Sequence, residues 1–170
     1  QNEQGKYIFI DTAGIRKKSK VEEKIEKYSV LRTILAIERA DVCLMLIDAT
    51  TGVTDQDAKI AGEAHEAGKG LIIVVNKWDL VEKETGTFEK FKQEVYQKLS
   101  YLTYAPIIFI SAQTGKRVDK LFELIHKVAN NNAMRISTAM INQVINEAIA
   151  VVQPPTDKGK RLKILYTTQA

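Results

Sequence analysis

The sequence predicts an α/β fold in which helices flank a mostly parallel sheet. Short apolar runs alternate along the chain with segments whose apolar residues recur every three or four positions, as expected for strands alternating with amphipathic helices. Several of these runs end in polar or glycine-containing peptides, and open parallel sheets bind ligands beyond the carboxyl ends of their strands. We therefore expect a binding site at one edge of the sheet.

The predicted strands are short, apolar runs and cover residues 7–10, 42–47, 71–75 and 107–110. The predicted helices carry one apolar face each and cover residues 21–38, 54–67, 87–100 and 118–129. Thr54 precedes an Asp-Gln-Asp segment and is expected to cap the second of these helices. The three asparagines at residues 130–132 are expected to stop the fourth helix.

The asparagine run also marks the expected boundary between a domain of residues 1–132 and a second domain of residues 133–170. In the second domain Thr138 is expected to cap a helix that ends at the Pro-Pro pair 154–155, and residues 162–167 are expected to form a strand. One helix and one strand cannot bury both their faces. We therefore expect a partial α+β domain that needs more chain or the first domain.

The tetrapeptide Asn76-Lys77-Trp78-Asp79 follows the third predicted strand and suits a guanine ring. The Asp79 carboxylate can accept both N–H donors of the guanine edge, which adenine does not offer. Asn76 can bond the purine and connect neighbouring loops, while the Lys77 stem can lie over the base with its ammonium in water. The alternative is a solvent-facing turn, because NKxD arises by chance in roughly 2% of chains of this length.

Two further motifs stand at strand ends. Asp11 opens the DxxG motif and is expected to hold a magnesium-bound water, and the N–H of Gly14 can approach a γ-phosphate. Ser111, Ala112 and Gln113 follow the fourth strand, where the Ala112 N–H is placed to meet the guanine oxygen that adenine lacks. The order DxxG, NKxD, SAx resembles the translation-factor-related P-loop GTPases and predicts a GTPase.

Ile15 occupies the position after DxxG, where many small GTPases carry a glutamine that orients the attacking water. An isoleucine side chain neither donates nor accepts a hydrogen bond, so either hydrolysis is slow or another group positions the water. The basic residues 16–20 that follow are expected to form either a partner-binding loop that responds to the nucleotide or a solvated loop.

The composition, with 45% hydrophobic and 27% charged residues, is that of an ordinary globular protein, and no apolar run reaches the length of a membrane span. The single Cys43 lies in an apolar strand and cannot form an internal disulfide, which predicts a cytoplasmic setting. The net charge of +4 is concentrated in basic clusters at residues 16–20 and 158–163, which are compatible with an acidic partner such as RNA.

The segments DTAGIRKKSK, NKWD, YAPIIFISA and RLKILYTTQA resemble the bacterial double-GTPase family Der, also called EngA. The resemblance covers essentially the whole chain and corresponds to the later part of the family's second GTPase domain and the start of its KH-like domain. It implies GTP or GDP and Mg²⁺ as cofactors, and the large ribosomal subunit and its rRNA as partners. Some family members with a hydrophobic residue at the position of Ile15 use potassium in catalysis.

The 170 residues contain no G-x-x-x-x-G-K-[ST] phosphate loop. Residues 62–70 imitate one, but the spacing is one residue too long and Gly70 stands where Ser or Thr is required. The resemblance therefore implies a piece of a larger GTPase that does not hydrolyse GTP alone. It also places a further strand between residues 7–10 and 42–47, so we expect either a gap there or another segment filling it.

Two alternatives stay open. One is an Era-like GTPase, which also ends in a KH domain, and the other is a non-catalytic RNA- or ribosome-binding module whose nucleotide motifs are relics. The RKK run after DTAGI and the asparagine boundary favour the Der family.

Overall fold

The structure is a computed structural model that describes residues 5–12, 23–157 and 159–169. The chain divides into two compact units, Gln1–Asn132 and Ala133–Ala170. The α-helices and β-strands that begin in the first unit are, in chain order, α1 (Glu23–Arg39), β1 (Val42–Asp48), α2 (Asp55–Glu66), β2 (Gly70–Asn76), α3 (Thr87–Lys98), β3 (Ile107–Phe109) and α4 (Val118–Ala133). In the described ranges, no helix combines the length and the apolar character that crossing a membrane requires.

The sheet of the first unit has three parallel strands in the order β1-β2-β3. The register pairs Asp48 with Asn76 and Val75 with Phe109, so the carboxyl ends of the three strands lie at one edge. Residues 71–75 of β2 are at most 2% exposed, as expected for a central strand covered on both faces. The predicted parallel sheet with flanking helices is confirmed.

Alternate residues of β2 belong to two hydrophobic clusters, because successive side chains of a strand point to opposite faces. Ile73 and Val75 pack in a cluster that includes residues of α2 and α3. Ile72 and Val74 pack with Leu121 of α4 in the other. The helices thus hold the central strand, and with it the carboxyl edge of the sheet, from both sides.

Thr54 caps α2 as predicted. Its Oγ1 accepts a hydrogen bond from the Asp57 N–H at 3.2 Å, and the Asp57 carboxylate accepts one from the Thr54 N–H at 2.9 Å. This reciprocal capping box satisfies two backbone donors that no helical partner reaches. It fixes where α2 begins after the turn that follows β1.

Residues 7–10 do not form the predicted strand. Tyr7 and Phe9 instead pack edge-on against Phe122 of α4, with ring centroids 5.4 Å and 6.0 Å from that ring. A strand needs a hydrogen-bonded neighbour, and β1 is the outermost strand of this sheet among the described residues. Among the described residues, no strand pairs with the outer edge of β1, where the sequence predicted either a gap or another segment.

The fourth helix is longer than predicted, because α4 continues through the asparagine run and ends at Ala133. Asparagine costs a helix at most about 0.7 kcal/mol per position relative to alanine. Leu121 and Ile125 bury the apolar face of α4, and tertiary packing of this kind outweighs weak propensity. The asparagines are thus tolerated as the last turns of a packed helix.

The second unit contains α5 (Thr138–Val151) and a short antiparallel pair, β4 (Thr156–Asp157) with β5 (Lys160–Arg161). The cap of α5 is Ser137, whose Oγ accepts from the Met140 N–H at 3.4 Å, and not Thr138 as predicted.

The predicted strand at residues 162–167 is not formed. The backbone of Thr167 bonds the side chain of Asn142 in α5, with its N–H donating to Oδ1 at 3.0 Å and its carbonyl accepting from Nδ2 at 2.9 Å. A helix side chain therefore satisfies backbone groups that the prediction assigned to a sheet.

Candidate functional site

The loops after β2 and β3 are joined by two hydrogen bonds. The Asn76 Oδ1 accepts from the Ala112 N–H at 2.9 Å, and the Trp78 N–H donates to the Ile110 carbonyl at 3.1 Å. Because the two strands are parallel neighbours, both loops leave the sheet at the same edge. The NKxD and SAx motifs, distant in sequence, thus form one surface.

Asp79 and Ser111 form a second connection between these loops. Ser111 is buried, and its hydroxyl lies beside the Asp79 carboxylate. The Ser111 hydroxyl, helped by the backbone of Asp79 and by Lys83, holds the pKa of Asp79 below its usual range. Asp79 itself is exposed, so the structure presents an ionised acceptor at the surface, positioned by a buried hydroxyl.

Lys77 adopts a left-handed backbone conformation with φ of 60°. This region is uncommon for residues other than glycine, and such conformations cluster at functional sites. The Lys77 Nζ lies 2.6 Å from the Asp48 Oδ2, at the end of the neighbouring strand β1. The hydrogen bond from Lys77, followed by those from Thr50, lowers the pKa of Asp48 to about 2.

The Trp78 side chain packs against phenylalanines of the core and so attaches the NKxD loop to it. Its ring lies edge-on to Phe109, with centroids 4.5 Å apart, and to Phe91, at 5.4 Å. Phe109 is buried and also contacts Phe88 at 4.5 Å. Edge-to-face pairs of this kind stabilise beyond the area they bury. The loop that carries the polar residues is therefore attached to the hydrophobic core.

We call Asn76, Lys77, Asp79, Ser111 and Ala112 the base site. The structure brings all five together at the carboxyl edge of the sheet, although the Ala112 N–H assigned above to guanine here donates to Asn76. The remaining predicted site residues lie elsewhere: Gln113 is exposed in the turn after Ala112, Asp11 is exposed after residues 7–10, and Gly14 and Ile15 fall outside the described residues.

Sequence reasoning missed two contributors to this edge. No role was predicted for Asp48, which follows the predicted strand 42–47, or for Trp78, the variable position of NKxD. Asp48 directly follows a predicted strand, but its place beside Asn76 depends on the register of β1 against β2, which the sequence does not show. For Trp78, the phenylalanines at the start of the third predicted helix and in the fourth predicted strand indicated aromatic packing partners.

Chemically, the edge combines the ionised carboxylate of Asp79, the amide of Asn76 and the long aliphatic stem of Lys77. A carboxylate that accepts two parallel N–H donors is suited to a flat ring with adjacent N–H groups, and an aliphatic stem can cover the face of such a ring. Guanine has both features. The geometry therefore fits a guanine base better than an adenine.

Comparison with known proteins agrees with this geometry. Residues 2–131 match the family model of the elongation factor Tu GTP binding domain, and residues 135–170 match that of the KH-domain-like region of EngA bacterial GTPases. GTPase Der of Acetivibrio thermocellus is 65% identical over 170 residues, which are 100% of this chain and 39% of that protein. GTPase Der of Alkaliphilus metalliredigens is 60% identical over 163 residues, 96% of this chain and 37% of that protein.

Solved structures show the same fold. A crystal structure of an Aquifex aeolicus Era variant bound to GDP.AlF4⁻ superposes with a TM-score of 0.58 at 31% identity, covering 69% of this chain and 38% of that one. A structure of Era with MgGDPNP and nucleotides 1506–1542 of 16S ribosomal RNA gives the same TM-score, identity and coverage.

The match to the GTP-binding domain covers most of the chain, and the match to the EngA KH-like region begins shortly after it ends. The chain spans about two fifths of the length of the Der relatives it matches. It therefore belongs to the Der (EngA) family of bacterial GTPases, of which it carries a large part of a GTP-binding domain and a KH-like segment.

Proposed function

We propose that the full-length protein carrying this chain binds GTP and GDP at the base site and hydrolyses GTP. The observation that carries this proposal is the joining of NKxD and SAx by the Ala112–Asn76 and Trp78–Ile110 hydrogen bonds. Its cellular role, we propose, is assembly of the large ribosomal subunit in the cytoplasm. The resemblance to the Der family implies that role, and proteins named GTPase Der match this chain at 60% and 65% identity.

At the base, Asp79 accepts the N1 and N2 hydrogens of guanine, and the buried Ser111 hydroxyl beside it lowers the pKa of its carboxylate. The adenine edge offers an acceptor where guanine has its N1–H, so it leaves Asp79 mispaired. Such a mismatch costs about 1–3 kcal/mol for each polar group that is left unsatisfied. Asn76, held by the Ala112 N–H, fixes the separation of the two loops between which the ring lies.

At the phosphates, Asp11 is the residue of this chain that would hold Mg²⁺ through a water, and Gly14 would contact the γ-phosphate. Magnesium bound to nucleotides takes most of its ligands from phosphates and waters and only one or two from carboxylates. The Ile15 side chain cannot orient water, so either hydrolysis is slow or a different group, with potassium as one candidate, assists it.

The KH-like segment supports an RNA partner. Lys160, Arg161 and Lys163 are exposed there, and exposed basic side chains attract the phosphates of nucleic acids. Era, which shares the fold of the first unit, has been solved with a segment of 16S ribosomal RNA. That likeness alone favours the small subunit, whereas the resemblance to the Der family implies the large subunit.

Sedimentation with separated ribosomal subunits tests the proposal. With a non-hydrolysable GTP analogue, the full-length protein should sediment with large subunits, and it should release phosphate from GTP at a rate that potassium raises above that in sodium. Sedimentation with small subunits alone would favour the Era-like alternative. Failure to hydrolyse GTP, despite binding to subunits, would identify a non-catalytic binding module.

A further inference from the structure

Asp48 occupies a position that the proposed function leaves unused. It ends β1, is paired in register with Asn76 at the end of β2, and contacts Lys77 from the side of the neighbouring strand. Its Oδ2 accepts from the Lys77 Nζ at 2.6 Å. The carboxylate therefore reaches a residue of the base site from an element outside both motifs.

The carboxylate is itself fixed by the turn that follows β1. Its Oδ1 accepts from the Thr50 N–H at 2.9 Å and from the Thr50 Oγ1 at 2.7 Å. One oxygen is thus committed to the turn and the other to Lys77. Since the turn begins directly after a strand of the sheet, Asp48 has little freedom to move away from Lys77.

We infer that Asp48 is a positioning residue for nucleotide binding, which holds the Lys77 side chain so that its aliphatic stem covers the purine face. The inference rests on the proposed function of the base site. A lysine side chain loses rotamer freedom when it is fixed, and a partner that fixes it beforehand lowers the cost of binding. The left-handed backbone of Lys77 directs the same side chain from its other end.

Covering a purine face does not distinguish one purine from another, because every base presents a similar ring surface. Asp48 should therefore contribute to affinity, while the choice of guanine is left to Asp79. The Lys77 side chain is 50% exposed and that of Asp48 is 27% exposed. Exposed ion pairs of this kind contribute at most about 1 kcal/mol, so the expected effect is about fivefold in affinity.

A double-mutant cycle in the full-length protein tests the inference, with the dissociation constants of GDP and inosine diphosphate measured by calorimetry. Asp48→Asn keeps an acceptor for Thr50 and removes the charge that faces Lys77. We expect it to weaken both nucleotides about fivefold, with their ratio unchanged. In a Lys77→Met background the same substitution should change affinity less than about 1.5-fold, because the residue through which Asp48 acts is gone.

Asp55→Asn, which removes the same charge from the first residue of α2, is the matched control and should leave affinity unchanged. In about 1 M salt the effect of Asp48→Asn should shrink, whereas a purely structural defect would persist. Unchanged or tighter GDP binding by Asp48→Asn, or an equal loss in both backgrounds, would overturn the inference. Absence of GDP binding by the wild-type protein would overturn the proposed function and this inference with it.

Discussion

Asp79→Asn in the full-length protein is expected to weaken GDP binding by about 10- to 100-fold and to shift preference towards xanthosine diphosphate. Asparagine presents an amide donor where guanine needs an acceptor, while xanthine carries a carbonyl oxygen that can accept from that donor. The substitution also removes the ionised acceptor that the buried Ser111 hydroxyl contacts. Competition between the two nucleotides, followed by calorimetry, measures both effects.

The matched control for this prediction is Glu82→Gln, which removes one exposed carboxylate from the same loop. It should leave the affinities for GDP and xanthosine diphosphate within about twofold of the wild-type values. If Asp79→Asn binds GDP as tightly as the wild-type protein does, Asp79 does not contact the base.

Phe109→Ala is expected to have the largest effect on stability, lowering the free energy of unfolding by about 3–5 kcal/mol. Phe109 is 2% exposed and contacts Trp78, Phe88 and Phe91, so its removal leaves a cavity beneath the NKxD loop. Urea unfolding of the chain, followed through the fluorescence of its single tryptophan, Trp78, measures the loss.

Phe88→Ala provides the comparison, because Phe88 belongs to the same aromatic group but is 39% exposed. It should cost about half as much as Phe109→Ala or less, since the removed ring leaves space that water can enter. Equal losses for the two variants would mean that Phe109 does not close the core below the base site.

The parts of the fold that the sequence predicted well are those determined by local pattern. Residues 71–75 are uniformly apolar, and they form the central strand with both faces covered. Thr54 and Asp57 stand at the spacing of a capping box, and they form one. Within these segments, burial and capping are decided by residues a few positions apart, which a single sequence displays directly.

The failures share a different cause. Residues 7–10 and 162–167 have the composition of strands, but a strand forms only where a second strand offers hydrogen bonds, and composition does not show whether one is there. Thr167 finds its partner in the Asn142 side chain instead. The Lys77–Asp48 pair was likewise hidden, because the register of β1 against β2 brings its members together.

The candidate site likewise contains parts that local sequence pattern predicts and parts that depend on tertiary structure. NKxD and SAx were recognisable because each is a short local pattern, and their contact follows from the expected adjacency of parallel strands. The hydroxyl of Ser111 beneath Asp79 was not predictable, because it depends on how the turn after β3 is built. For Gly14 and Ile15, the roles assigned from the sequence stay predictions.

The central claim is that the carboxyl edge of this sheet binds guanine through Asp79, and calorimetric titration of the full-length protein with GDP and with ADP tests it most directly. We expect GDP to bind with a dissociation constant of about 1 μM or tighter, and ADP to bind at least about 100-fold more weakly, because its base leaves the Asp79 carboxylate mispaired. Equal affinity for the two nucleotides, or binding of neither, would contradict the account.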